Sequence, residues 1–281
     1  MIKLNDIKLC LWVYNRVMSA TLGGLIKDYR LQKNISQIEI AFGLGWSEPS
    51  RLSRIEQGLT KKPMRETLDR LSQALKLDRF EKGQLLLVGG YIPTREEIDK
   101  IVNETQSLLD NWLYPAYLLD FSWRLLSWNK HAARVYAIDD KAHQFIKKNL
   151  PWAPGLIFDS TFFQNKCLTN ESEIKVWHDL LQYKLVRFTY LNRSRTREKW
   201  YQDLIGSMMT NKLFAELWQK VHMIPAEEGI MNYERKVLAD WQNTDKRFDF
   251  HIFRSQIIQD VRFEINYHIP ADAETLEFFS K

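Results

Sequence analysis

The chain has 281 residues, of which 45% are hydrophobic and 27% are charged, a balance typical of a folded globular protein. No apolar run in the sequence approaches the roughly 20 residues that a membrane-spanning helix needs. Its two cysteines, Cys10 and Cys167, have neither a metal-ligand spacing nor a disulfide framework. These features argue against an integral membrane protein and a disulfide-stabilised secreted domain, so we expect a cytoplasmic protein with plain thiols.

The net charge of +5 is not spread evenly along the chain. Residues 21–90 hold 12 basic and 8 acidic residues, whereas residues 91–281 hold 25 and 26. A local positive balance is what attraction to phosphates requires, although a solvated surface tolerates the same charges. The first third of the chain is therefore the candidate for a nucleic-acid interface.

We interpret residues 1–20 as an N-terminal extension. They contain one short apolar patch, Leu9 to Tyr14, without a convincing signal cleavage site. Two later sets of apolar residues recur at helical spacing and predict helices. The sets are Leu22, Leu25, Ile26, Tyr29 and Leu31, and Leu68, Leu71, Ala74, Leu75 and Leu77. A further apolar run, Leu85 to Val88, predicts the helix that closes the first domain near residue 90.

Between these helices the chain reads SQIEIAFGLGWSEPSRLSRIEQG, beginning at Ser36. Ser36 is followed three residues later by Glu39, a pair that satisfies free amides at the start of a helix. Ile38, Ala41 and Phe42 then fall on one face of that helix, and Ala41 leaves room for a second helix to cross closely. The spacing predicts one short helix that ends at a turn.

The turn carries Gly43 and Gly45, which relax the backbone. After it, Ser47 is the next N-cap candidate, and Pro49 suits the first turn of a helix because it needs no amide partner. A third helix is therefore predicted over Glu48 to Gln57. Two short helices around a glycine-bearing turn are how a protein presents a helix to DNA.

In this third helix Leu52 and Ile55 are expected to face inward, and Gly58 to close it. Polar and cationic residues are left outside, where they reach bases and phosphates. A basic loop around Pro63 is predicted to lie along a phosphate backbone. The predicted DNA-contacting residues are Gln37, Ser47, Pro49, Ser50, Arg51, Arg54, Lys61 and Lys62.

The motif resembles the lambda-repressor-like, Xre-type helix-turn-helix family, whose usual pattern is SQxELA, a small turn and SxxIxxIExG. The matching residues are Ser36, Gln37, Glu39, Ala41, Gly45, Ser47, Leu52, Ile55, Glu56 and Gly58. One departure is a turn that is one residue longer than in the shortest members and carries Pro49. The resemblance implies an all-α, five-helix DNA-binding domain in residues 21–90.

A domain boundary is predicted near Gly89-Gly90-Tyr91-Ile92-Pro93, where glycines and a proline interrupt the helical pattern. A charged helix follows from Thr94, and we assign residues 91–112 to a linker helix. Of the 36 aromatic residues, 30 lie in residues 91–281. Rings in this number fill a core, and they also suit the walls of an apolar pocket.

The stretch PAYLLDFSWRLLSWNKHAAR, starting at Pro115, predicts a hairpin and a helix. Ala116–Leu119 and Trp123–Trp128 read as strands around the turn residues Asp120-Phe121-Ser122, and Asn129 caps a helix that begins at Lys130. This order resembles the opening of a PAS sensor domain. More narrowly, it resembles the MmyB-like ligand-binding domain, which in that family follows an Xre-type helix-turn-helix domain.

The rest of the chain predicts helices and a second pair of strands. Two helix faces are Ile174, Trp177, Leu181, Leu185 and Phe188, and Leu213, Phe214, Leu217, Trp218 and Val221, the second like the family's FxxLW helix. His251–Ile257 and Val261–Ile269 read as paired strands, and Glu274-Thr275-Leu276 resembles the family's terminal segment. We therefore expect residues 113–281 to form an α+β, PAS-like domain with an antiparallel sheet covered by helices.

The resemblance implies a transcription regulator that binds a double-stranded DNA operator as a homodimer and senses a small apolar ligand such as a fatty acid. Wall candidates for the ligand are Tyr117, Trp128, Trp177, Phe188 and Trp218, each of which also suits a packed core. Arg187 and Arg254 are the candidates for a carboxylate head group. No other cofactor and no metal are implied.

Two alternatives compete with this interpretation. An enzyme is disfavoured, because the six histidines are scattered and the sequence lacks a GxSxG or a phosphate-loop glycine pattern. Cys167 and His178 as nucleophile and base carry almost no specificity at an arbitrary separation. The other alternative keeps the DNA-binding domain and makes the second domain a dimerisation module without a ligand.

Overall fold

A computed structural model describes residues 21–60, 62–158, 171–221, 223–224, 233–240 and 243–280. The contacts divide the chain into two compact units. The first comprises the described residues up to Tyr91 together with Ile258–Val261, and the second begins at Ile92. Residues 1–20, Lys61 and both cysteines, about which the sequence makes predictions, lie outside the described residues.

Five helices make up the described part of the first unit, as the sequence predicts. They are α1 (Leu22–Gln32), α2 (Gln37–Gly43), α3 (Ser50–Glu56), α4 (Arg65–Ala74) and α5 (Arg79–Val88). Their apolar faces meet in one core that includes Leu25 and Ile26 of α1, Leu52 of α3 and Leu68 of α4. The apolar periodicity of the sequence thus predicted these helices and most of their buried residues.

The capping box predicted at the start of α2 is confirmed. Ser36 Oγ accepts a hydrogen bond from the backbone N–H of Glu39 at 3.1 Å, and the Glu39 carboxylate accepts one from the N–H of Ser36 at 2.6 Å. These bonds satisfy two amides that have no partner inside the helix. The bonds from Ser36 also lower the pKa of the Glu39 carboxyl.

The buried face of α2 differs from the predicted one. Ile38 and Phe42 are 54% and 66% exposed, whereas Ile40 and Ala41 are buried. The helix has only seven residues and packs against α3 and α4 through the face that carries Ile40, Ala41 and Leu44. Ala41 belongs both to the predicted face and to the face that is buried. The spacing of apolar residues over two helical turns therefore did not decide between the two faces.

The start of α3 also differs from prediction. Pro49 occupies the N-cap position and no side chain caps the helix, so Ser47 is not its cap. The helix begins at Ser50 rather than Glu48. Gly45 in the turn and Gly58 after the helix have φ of 72° and 73°. Residues with a Cβ rarely adopt such a backbone conformation. Gly45 and Gly58 therefore shape the motif as predicted, whereas Gly43, which was also predicted to relax the turn, is the last residue of α2.

The described part of the second unit combines helices with a sheet of five strands. Its elements are α6 (Arg95–Asn111), β1 (Ala116–Asp120), β2 (Leu125–Trp128), α7 (Lys130–Val135), α8 (Asp140–Asn149), α9 (Ala153–Phe158), α10 (Glu171–Leu191), α11 (Lys199–Met208), α12 (Lys212–Val221), β3 (Tyr233–Asp240), β4 (Asn243–Gln256), β5 (Phe263–Pro270) and α13 (Ala273–Phe279). The strand order is β2-β1-β5-β4-β3, and every paired neighbour is antiparallel.

The predicted strands need several corrections. The last strand, β5, begins at Phe263 rather than at Val261. β3 was not predicted, and β4 begins at Asn243, well before His251. β2 begins at Leu125, because Trp123 lies in the turn with φ of 64°. The turn is held by Asp120, whose Oδ1 accepts hydrogen bonds from the backbone N–H groups of Ser122 and Arg124, each at 3.0 Å.

Helices cover both faces of the sheet. On one face lies α6, which the sequence assigned to a linker, and its Ile98, Ile101 and Leu109 pack with Leu118 of β1 and Phe263 of β5. Buried Arg262 forms an ion pair with Glu97 of α6 at 3.0 Å. Helices α7 to α12 lie on the other face in an aromatic core. The helix at residues 95–111 is therefore part of the second unit's core.

Asn129 joins the hairpin to the helices around it. As predicted, its side chain caps α7: Oδ1 accepts from the N–H of Ala132 at 2.9 Å, and also from the N–H of Ala116 at 3.1 Å. Its Nδ2 donates to the carbonyl oxygens of Leu109, Trp112 and Tyr114 at 3.1, 3.2 and 2.8 Å. This buried amide satisfies five backbone groups from α6, the following loop, β1 and α7.

Substitution Asn129→Ala should destabilise the second unit by at least about 3 kcal/mol, because it removes the side-chain partner of several buried backbone groups. The matched control is Asn149→Ala, which removes an exposed amide with one bond to the Phe145 carbonyl and should cost about 0.5 kcal/mol or less. Urea unfolding followed by tryptophan fluorescence measures the difference, since eight of ten tryptophans lie in residues 91–281. Equal midpoints for both variants would contradict this role.

Candidate functional site

A buried carboxylate fixes the arrangement of the first three helices. The side chain of Glu56 is 2% exposed, and Arg30 of α1 donates to it through Nε at 2.6 Å and Nη2 at 3.0 Å. Gln37 of α2 donates its Nε2 to Glu56 Oε2 at 2.8 Å. The hydrogen bond with Glu56 raises the pKa of the Arg30 guanidinium. Glu56, at the end of α3, is thus bonded to both preceding helices.

With α3 held in this way, one of its faces is free. Leu52 and Ile55 point into the core, and the exposed residues are Ser50, Arg51, Arg54 and Gln57. Within the described part of the chain, neither Arg51 nor Arg54 forms an ion pair. By contrast, Arg65 and Lys82 both pair with Asp69. The outer face of α3 therefore presents two cations whose charge is not neutralised by a neighbouring carboxylate.

Trp46, in the turn before α3, contributes to this face and was not predicted from the sequence. The Arg51 guanidinium lies over its ring, with Cζ 4.6 Å from the ring centroid. A cation over an aromatic face is attracted to the ring, and the contact restricts the side chain. Trp46 thereby orients Arg51 at the start of the exposed face.

The other predicted DNA contacts are placed less favourably. The Gln37 amide is bonded to Glu56, as described above. Ser50 Oγ donates to Glu48 Oε2 at 3.3 Å. Lys62 Nζ donates to the carbonyl oxygen of Gly90 at 3.3 Å and lies 4.8 Å from the centroid of the Tyr91 ring. Lys62 is thus held against its own domain, while Ser47 is exposed in the turn.

The second unit contains a cavity of about 100 Å³ between the sheet and α7 to α10. Small side chains on the helices leave this space opposite large rings on and near the sheet. The apolar lining includes Trp123, Trp128, Ala132, Ala137, Ala142 and Ala153. Tyr136 also lines the cavity. The Tyr136 hydroxyl is 2.7 Å from Nε2 of the fully buried His268.

Polar groups also line this cavity, three of them on the sheet and one on a helix. The lining includes Lys184 of α10, Arg254 of β4 and two residues of β5, Glu264 and Asn266. Asn266 is 2% and Lys184 8% exposed, and Asn266 Nδ2 donates to Glu264 Oε1 at 3.3 Å. The sequence shows that apolar and polar residues alternate along β5. It does not show which face of this strand lines a cavity.

Three of the predicted ligand contacts line this cavity, namely Tyr117, Trp128 and Arg254. Phe188 does not: it is fully buried and stacks on Tyr201 with the ring centroids 5.7 Å apart. Trp218 stacks on Phe214 at 5.3 Å, and Arg187 is buried away from the described lining. The side chain of Trp177 lies outside the described residues.

Comparison with known proteins finds a family match within the first unit. A helix-turn-helix family model matches residues 26–81, which span α1 to the start of α5. The match supports a DNA-binding transcriptional regulator, and this family is typically non-enzymatic. No curated protein shows a significant match to the chain.

The described part of the chain lacks two kinds of feature. None of its helices is both long enough and apolar enough to span a membrane. The same residues contain no group of three or more His, Cys, Asp or Glu side chains placed to hold a metal ion.

Substitution Glu56→Ala should lower the free energy of unfolding of the first unit by about 3–5 kcal/mol, because it leaves the Arg30 charge buried without its carboxylate. Glu66→Ala removes an exposed glutamate on α4 and should have almost no effect. Urea unfolding followed by circular dichroism gives both values. A Glu56→Ala protein as stable as Glu66→Ala would show that the buried pair does not hold the helices.

Substitutions Arg51→Ala and Arg54→Ala should each weaken binding to a DNA fragment selected from a random pool by the wild-type protein. An arginine that pairs with a phosphate contributes about 1 to the slope of log K against log salt, so the slope should fall by that amount in each variant. Trp46→Leu keeps the charge of Arg51 but removes its ring partner, so affinity should fall with little change in slope. Arg197→Ala, at an exposed arginine of the second unit, is the control. Gel-shift titrations at several salt concentrations measure the affinity of all four variants for DNA. Unchanged affinity in both arginine variants would refute the assignment of α3 as the helix that contacts DNA.

Proposed function

We propose that the protein is a transcription regulator that reads a double-stranded DNA operator with α3 and holds a small apolar ligand, such as a fatty acid, in its second unit. The observation that carries the proposal is the mainly apolar cavity in the unit that follows the helix-turn-helix domain. Its polar wall gives such a ligand one fixed orientation. Occupancy of the cavity then modulates binding to DNA.

The second unit is, in this proposal, a PAS-like domain of the MmyB-like kind. Two observations support the assignment. The first hairpin, Asn129 and α7 follow one another as the sequence resemblance requires. The sheet also places this hairpin beside the last strand, β5, with helices α7 to α12 covering one face.

The small volume of the cavity favours a ligand without bulky groups. Its volume of about 100 Å³ is below the roughly 300–1,000 Å³ of pockets for drug-sized molecules. Aliphatic and aromatic walls suit an alkyl chain, which gains about 0.8 kcal/mol for each CH₂ that leaves water. Arg254 and Lys184 supply positive charge for an acidic head group.

Regulation in this proposal acts on a homodimer in the cytoplasm. One copy of α3 covers one half of an operator, and a dimer reads two half-sites about 34–36 Å apart. A ligand changes DNA binding only if it binds one arrangement of the dimer more tightly than another. The alternative is a second unit that serves only for dimerisation and holds no ligand.

A substitution that fills the cavity distinguishes a second unit that holds a ligand from one that serves only for dimerisation. Lipid extraction and mass spectrometry should find an amphiphile bound to the purified wild-type protein, and much less in Ala142→Leu, whose added atoms occupy the cavity. Ala273→Leu adds the same atoms at an exposed position of α13 and should retain the ligand. If no variant carries a lipid and added dodecanoic acid does not raise the melting temperature of the wild type, the second unit is a dimerisation module.

A further inference from the structure

An exposed carboxylate lies beside the cations of α3. The segment from Trp46 to Gly58 contains two acidic residues, Glu48 and Glu56. Glu56 is buried and bonded to Arg30. Glu48, by contrast, is exposed in the turn directly before the N-cap of α3. A carboxylate on a surface that meets DNA is repelled by the phosphates, so it weakens binding unless it accepts a hydrogen bond from the DNA.

Different neighbours hold Glu48 and Arg51. Ser50 Oγ donates to Glu48 Oε2 at 3.3 Å, and the Arg51 guanidinium lies over the Trp46 ring. The residue before a proline is restricted to extended backbone, which limits the directions open to the Glu48 side chain. Within the part of the chain that the structure describes, Glu48 and Arg51 do not pair with each other. This face of α3 therefore carries an acceptor and a donor, each with a restrained direction.

The acceptor and the donor match the major-groove edges of cytosine and guanine. Guanine presents two acceptors there, N7 and O6, which an arginine binds, whereas cytosine presents the N4 amino group, from which a glutamate accepts. Adenine also has an amino group, but the acceptor N7 beside it repels a carboxylate. The first residues of a recognition helix are the ones that contact base edges. Glu48 and Arg51 lie at that end of α3.

The spacing of the two side chains fits neighbouring base pairs. Three residues of helix rise by about 4.5 Å, and successive base pairs are about 3.4 Å apart. Glu48 and Arg51 are three positions apart in the chain. The carboxylate and the guanidinium therefore address adjacent base pairs rather than one.

We propose that Glu48 determines operator specificity by accepting a hydrogen bond from the N4 amino group of a cytosine in each half-site, adjacent to a guanine that Arg51 contacts. Ser50 positions the carboxylate. As a cation, Arg51 contributes to the salt dependence of binding as well as to base recognition. The inference rests on the proposed function, because it requires that α3 reads DNA.

Selection of DNA from a random pool tests this assignment base by base. The full-length wild-type protein should select half-sites with a fixed cytosine. Glu48→Ala should select half-sites in which that one position accepts any base while the other positions stay fixed. Glu274→Ala, which removes an exposed glutamate of α13, should select the wild-type sequence. A purely structural role of Glu48 would not change the preference at one position alone.

Gel-shift titrations give the size of the effect. Replacing the fixed cytosine by thymine should weaken wild-type binding by roughly five- to 100-fold, the range of a single mismatched base pair. This discrimination should shrink at least severalfold in Glu48→Ala. The same variant should bind an unrelated DNA fragment more tightly than the wild type does, because it lacks a negative charge that faces the phosphates.

Circular dichroism establishes that each variant is folded. If Glu48→Ala does not fold, Glu48→Gln takes its place, because it keeps the size of the side chain. Adenine should then be accepted at the position of the cytosine, since the carbonyl and the amide N–H of a glutamine match N6 and N7 of adenine.

The outcomes distinguish this inference from the proposed function. A change of preference confined to one cytosine of the half-site supports the inference. If the Glu48 variants select the wild-type sequence, or lose preference at every position, the inference is overturned while the protein remains a DNA-reading regulator. If the wild-type protein selects no sequence from the pool, the proposed function fails and the inference fails with it.

Discussion

Strand β5 is covered on both faces, and its pleat decides which side chains each face receives. Phe263 and Ile265 pack into the core under α6, while Glu264 and Asn266 line the cavity on the opposite face. A shift of one residue in register would exchange the two sets and place a carboxylate in the core. The ion pair between Arg262 and Glu97 and the pairing of β5 with both neighbours hold this register. The chemistry of the cavity follows from that constraint.

A buried polar side chain with several partners has a comparable role in each unit. Glu56 joins α1, α2 and α3 and leaves one face of α3 exposed. Asn129 joins α6 to the first hairpin and α7, and the hairpin and α7 carry part of the cavity wall. Each satisfies groups that would otherwise be buried without a partner, so removing either is costly. Such networks define a position more closely than apolar packing, because hydrogen bonds depend on direction as well as distance.

Features that depend on neighbouring residues in the chain could be predicted. The capping box at Ser36, Gly45 in the turn and the cap at Asn129 are local, since each involves residues within about one helical turn. The buried face of α2 and the strand β3 are different. Exposure of Ile38 and Phe42 depends on where α3 and α4 pack. Tyr233–Asp240 reads YERKVLAD, with four charged residues in eight, and this suits the sheet edge where β3 lies.

The cavity is a further example of the difference between features that the sequence predicts and features that depend on packing. By itself the sequence determined that the chain has a helix-turn-helix segment with exposed arginines, and a second part that is rich in rings and contains a hairpin followed by a capped helix. Only the tertiary structure decided that Tyr117, Lys184, Arg254 and Asn266 face one cavity, and that Phe188 belongs to the packed core. The reason is that cross-strand register and helix packing bring together residues up to about 150 positions apart, and no local pattern records such contacts.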